Sequence, residues 1–142
     1  MDLATERRLL QAAVAAACLV PLAMGALSLA LGPAILRGIG AGAPIDLDSH
    51  FRYLSGLLLG VGLVFASCIP AIERNSGRFR TMGFVIVAGG LGRLLSLVDE
   101  GIPGSGHLFG LAMELGVVPA LMLWQRRLAA AATRTTLRQA QG

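Results

Sequence analysis

Four apolar runs, over about residues 9–36, 49–69, 81–98 and 106–124, limit what this chain can fold into more than any other feature. Each approaches the roughly 20 residues a helix needs to cross about 30 Å of hydrocarbon, and the third is the shortest. In lipid the backbone has to satisfy its own hydrogen bonds, which leaves helices or closed barrels. The runs lack the alternation of barrel strands. The expectation is an all-α fold: one integral membrane domain over 1–142, built as a bundle of four transmembrane helices with a tail over 125–142. Composition agrees, with 55% hydrophobic and 14% charged residues and a mean hydropathy of +0.72. Soluble domains carry about 25% charged residues.

Arginine placement predicts orientation. All twelve basic residues are Arg. Arg7 and Arg8 precede the first run, Arg74, Arg78 and Arg80 lie between the second and third, and Arg126, Arg127, Arg134 and Arg138 follow the fourth. The opposite loops hold Asp46, Asp48, Asp99 and Glu100 against Arg37 alone. The positive-inside rule then puts both termini in the cytoplasm of a multi-pass inner-membrane protein, with Trp124 as an interfacial anchor.

The first run also has the charged start and small-residue site (Ser28 to Ala30) of a signal peptide, and "AAAC" before Leu19 resembles a degenerate lipoprotein site. Its length exceeds the ~7–15 apolar residues of a signal core and continues past Cys18, so a retained helix is expected. Cys18 and Cys68 both fall in apolar runs and read as buried, inert thiols. Arginines scattered among segment flanks, with only 5% aromatic residues, argue against nucleic acid as a partner.

Helices associate in lipid through close backbone approach and interhelical hydrogen bonds. Arg52, Gly56 and Gly60 share a face of the second helix, Gly89, Arg93 and Ser96 a face of the third, and His107, Gly110, Leu111 and Glu114 a stripe of the fourth. These faces are expected to point inward. Pro21 and Pro119 free the carbonyls of Ala17 and Leu115, predicting gentle kinks, with the Leu115 carbonyl available to the polar group beside it.

Arg52, Arg93 and Glu114 would lie roughly 5, 8 and 12 Å below the outer surface at 1.5 Å per residue. An isolated charge at a helix centre costs about 2.5–3.5 kcal/mol on insertion scales, so the three are expected to meet, with His50, His107, Tyr53 and Ser96 nearby. Two arginines against one glutamate would leave a site of net charge +1, suited to an anionic headgroup, a carboxylate or a polarised carbonyl. Intramembrane ionisable groups mark functional sites, but a buried Arg–Glu pair also serves to fix helix register. Both readings stay open. Asp99 and Glu100 read as loop charges that contact Arg93 or Arg37 at most. His50 and His107 as axial haem ligands are a weak signal, and no cofactor or metal is expected. No HExxH, Walker loop, G-x-S-x-G or C-x-x-C motif occurs, so no catalytic residue is assigned.

The segments "HFRYLSGLLLGVGL", "RFRTMGFVIVAGGLGRLLSLVDEGIPG" and "ELGVVPALMLW" resemble the small bacterial membrane family catalogued as domain of unknown function 4345, over about residues 10–125. The resemblance rests on Arg52 with Gly56, Gly90 with Arg93, Gly101 with Pro103, and Glu114. It implies four helices and no established activity. A looser likeness to DoxX-type four-helix membrane proteins implies architecture alone. The functional expectation is an outward-facing polar pocket binding a small amphipathic or anionic ligand, with membrane lipid as surroundings. Alternatives are an accessory subunit or homo-oligomer in a larger membrane complex, and a small enzyme acting on a lipid or quinone.

Overall fold

A computed structural model describes residues 2–36, 38–39 and 42–141. Arg37, counted above among the outer-loop charges, lies outside the described residues. Among the described residues every regular element is helical: α1 (Leu3–Leu31) with a 3-10 turn at Gly32–Ile35, α2 (Ile45–Cys68) with a 3-10 turn at Ile69–Ala71, α3 (Ser76–Glu100), α4 (Ser105–Ala112), a π turn (Met113–Val117) and α5 (Val118–Ala140). Four of these stretches are long and apolar enough to cross a membrane: Leu3–Ile35, Ile45–Ala71, Ser76–Glu100 and Ser105–Ala140. The chain is a multi-pass membrane protein.

The helices outrun the apolar segments that announce them. Asp2 caps α1, its Oδ1 accepting the Thr5 N–H at 2.6 Å, so helix begins in the polar sequence before Leu9. That bond stabilises the charged carboxylate and holds the Asp2 pKa below its usual value. At the other end α5 continues through "LAAAATRTTLRQA" to Ala140, because alanine and arginine are strong helix formers. Most of the tail expected after 124 is therefore helix. α1 runs through Pro21, and α3 stops where Gly101 takes φ +96 ahead of Pro103.

The chain divides into two compact units, Ala15–Ser67 and the combination of Met1–Val14 with Cys68–Gly142. In the first, α1 and α2 form an antiparallel hairpin whose closest approach is at glycines. A Cβ on Gly25 would fall 2.7 Å from the Leu59 backbone nitrogen, and one on Gly62 would fall 3.1 Å from the Leu22 side chain. Gly56 and Gly60, expected on an inward face, take no part in this contact: a Cβ on either meets nothing within 4 Å. Arg52, Ser55, Leu59 and Gly62 form the stripe toward α1, and Gly56 and Gly60 are rotated away from it.

In the second unit α3 runs antiparallel to the α4–α5 stretch. Phe79, Gly83 and Gly90 are the buried positions of α3, and Val118, Leu121, Gln125 and Leu128 those of α5, at helical spacing. A Cβ on Gly83 would collide with Met122, and one on Gly90 with Glu114 and Leu115. Leu10, Val14, Cys68, Ile72, Phe79 and Leu128 complete the core. Gln125 is buried but satisfied, its Nε2 donating to the Ile72 carbonyl and to Ser76 Oγ, each at 2.8 Å. Leu95, Phe84 and Leu123 are more than half exposed, as befits helices whose outer solvent is hydrocarbon.

Candidate functional site

Arg93 sits on α3 one turn beyond Gly90, and the absent Cβ there lets the turn carrying Glu114 come in close. The guanidinium grips Glu114 at two points, Nε to Oε2 at 2.9 Å and Nη2 to Oε1 at 3.1 Å. This is the parallel fork that arginine geometry favours for a carboxylate. The third side of the guanidinium meets His107, with Nη1 2.9 Å from Nδ1. Since arginine only donates, Nδ1 accepts, and the ring proton belongs on Nε2. Gly110, between His107 and Glu114 on the same stripe, lies under the guanidinium: a Cβ there would sit 3.5 Å from Arg93 Cζ. Arg93 keeps 33% of its side-chain surface exposed and Glu114 17%.

Glu114 occupies the π turn, where the Val118 N–H reaches back five residues to the Met113 carbonyl. Pro119 accounts for the turn: it has no N–H to continue the helix and its ring crowds the carbonyl four residues earlier, which a wider turn relieves. Beside Pro119 the helix thus widens locally, at the residue that carries the charge. π turns recur at functional sites.

The structure gives Arg52 other partners than Glu114. Its Nε and Nη2 fork onto Asp48 Oδ2 and Oδ1 at 2.8 and 3.2 Å, and Nη1 donates to the carbonyls of Leu29 and Ala30 at the end of α1. Gly32, with φ +66, makes room for this cap, since a Cβ there would fall 2.5 Å from Arg52 Nη2. Each arginine has its own carboxylate, so the expected surplus charge of +1 is replaced by two balanced pairs. Tyr53 is 63% exposed, and His50 and Ser96 are also exposed. Gly89, expected on the Arg93 face, meets nothing, because the packed face of α3 runs through Gly83 and Gly90. Asp99 and Glu100 are exposed in the last turn of α3.

A second polar group, at the arginine-rich end of the same unit, was not anticipated. Trp124 Nε1 donates to Glu6 Oε1 at 3.1 Å, Arg7 pairs with Glu73 at 3.3 Å and donates to the Pro70 carbonyl at 2.9 Å, and Gln11 donates to the Ile69 carbonyl at 2.7 Å. The available signal was that Glu6 and Glu73 are each followed directly by arginine in segments otherwise rich in positive charge.

A family model described as Domain of unknown function (DUF4345) matches residues 9–125. The chain belongs to that family. The DUF4345 region contains Arg52, Arg93, His107 and Glu114 and stops short of Glu6, Arg7, Arg8 and the end of α5. No curated protein and no solved structure matches the chain.

Proposed function

We propose that this DUF4345 protein resides in a cell inner membrane with both termini in the cytoplasm, and that Arg93, Glu114 and His107 bind the polar head of a small amphipathic molecule in the outer half of the bilayer. The observation carrying this reading is an arginine within an apolar helix, pinned at three points yet one-third exposed. Three of its five N–H groups are used and two remain to donate. Because Glu114 balances the charge, the fitting head is a neutral hydrogen-bond acceptor rather than a strong anion. His107 adds an Nε2 donor beside it.

The test removes both charges together, so that neither is orphaned. An Arg93→Met/Glu114→Met variant purified in mild detergent is expected to melt near wild type and to lose, in native mass spectrometry, a small molecule that wild type retains. If wild type carries none, or the double variant carries the same one, the pair only fixes helix register.

A second reading, packing against another subunit or a second copy, is favoured by the open glycine faces of Gly56 with Gly60 and Gly89 with Gly92, where an added Cβ meets nothing within 4 Å. Such faces permit close helix approach in lipid. Crosslinking in native membranes tests it: recovery of uncrosslinked single chains alone argues against a partner.

A further inference from the structure

The arginine-rich end of the second unit contains a half-open groove of about 530 Å³, with Leu3, Arg7 and Arg8 of α1 on one wall and Ala132, Thr135 and Thr136 of α5 on the other. We propose that this groove holds the headgroup of an anionic phospholipid bearing free hydroxyls, of the phosphatidylglycerol class, independently of the Arg93 site.

Charge is the first argument. Nine arginines belong to this end of the unit against three acids, and all three acids are engaged: Asp2 with the Thr5 amide, Glu6 with Trp124 and Glu73 with Arg7. Arg8, exposed on the groove wall, makes no hydrogen bond or ion pair among the described residues. Arg7 faces Glu73 with Nε in an ion pair without hydrogen-bond geometry and donates one Nη2 proton to Pro70, which leaves the rest of its fork available. Two arginines lining one groove, each with unused donors, match a phosphodiester.

The opposite wall defines the rest of the headgroup. Thr135 and Thr136 direct their hydroxyl protons back to the Ala131 and Ala132 carbonyls at 3.2 and 3.1 Å, so toward the groove they offer only lone pairs. Lone pairs accept from hydroxyls, which a glycerol headgroup supplies and choline does not. Leu3 and Ala132, over the buried Leu128, provide an apolar side for the start of the acyl chains. Trp124, bonded to Glu6, belongs to the same end, where an indole marks the level of lipid headgroups. The α5 extension beyond the family match supplies Leu128, Ala132, Thr135 and Thr136 to this groove.

The experiment uses the full chain in detergent, titrated with phosphatidylglycerol or with phosphatidylcholine of the same acyl chains and read by native mass spectrometry. Phosphatidylglycerol should be retained in preference to phosphatidylcholine. Arg8→Gln, which removes no internal contact, should weaken that retention about ten-fold, the worth of one charge-assisted hydrogen bond, without changing the lipid-free melting temperature. Arg138→Gln, outside the groove, should retain phosphatidylglycerol like wild type. Equal retention of both lipids, or wild-type retention by Arg8→Gln, overturns the proposal. So does equal loss in both variants, which signals a diffuse basic surface, or full displacement by soluble glycerol phosphate, which signals a solute site. None of these readouts depends on the Arg93 pair.

Discussion

Gly90 on α3 and Glu114 on the π turn are so close that a Cβ on the glycine would fall 2.8 Å from the Cβ of the glutamate. The approach of the two backbones places the carboxylate within reach of Arg93, one turn further along α3. Packing and charge pairing at this point are one event, because the ion pair forms only where α3 carries no side chain.

Gly90→Ala is therefore expected to destabilise the protein by about 1–3 kcal/mol, the usual range for forcing a methyl into a packed interface. Gly89→Ala, which meets nothing within 4 Å, gains helix propensity instead and should be neutral or stabilising by up to about 1 kcal/mol. Thermal unfolding of both variants in one detergent compares them. Equal behaviour would show that the two glycines do not differ in packing.

Arg93 and Glu114 are expected to couple. Breaking a buried pair by removing one partner costs about 3–5 kcal/mol, and the one-third exposure of Arg93 brings the single-variant cost toward the low end. In a double-mutant cycle with Gln at each position the interaction energy should reach about 1–3 kcal/mol. A value near zero would mean the fork is not maintained in the membrane.

Arg52→Lys is not a conservative change here. A lysine retains charge for Asp48 but cannot fork onto both carboxylate oxygens and also cap the Leu29 and Ala30 carbonyls. The lost fork and the lost carbonyl contacts should loosen the end of α1. Gly32→Ala should be at least as harmful, since it combines an unfavourable φ of +66 with a collision at Arg52. Hydrogen exchange at the end of α1 should rise in both variants.

The Asp2 cap sets a pH dependence at the start of α1. Its folded pKa lies below the usual carboxylate value near 3.8, so its contribution is fully present above that value. The contribution is lost as pH falls through the lower folded value. Amide exchange at Thr5, corrected for intrinsic acid and base catalysis, should lose protection in that acid window. Asp2→Asn should keep a cap but remove the pH dependence.

The number of helices and their membrane character were legible because hydrocarbon thickness imposes length and apolarity on each span, and the four runs satisfy both. The rotation of each helix was not. Glycines at 56, 60 and 89 are compositionally equal to those at 25, 62 and 90, and only packing between particular neighbours selects the latter. The stripe from His107 through Gly110 to Glu114 could be read from helical spacing, and the structure places it around the Arg93 guanidinium. The Asp48–Arg52 pair was also present as a four-residue spacing on one helix, the interval at which side chains meet. A scheme that assigned both arginines to Glu114 passed over it. The π turn has no periodic signature, and Pro119 marks only that some irregularity follows from its missing donor.

The two intramembrane arginines are each matched by a carboxylate, Arg93 by Glu114 and Arg52 by Asp48. A membrane potential exerts work of about 2.3 kcal/mol per elementary charge per 100 mV on a charge that crosses it. On a neutral pair moving as one body it exerts almost none. Neither pair therefore adds a net charge for the voltage to act on, whereas a variant lacking one member of either would place an uncompensated charge in the field.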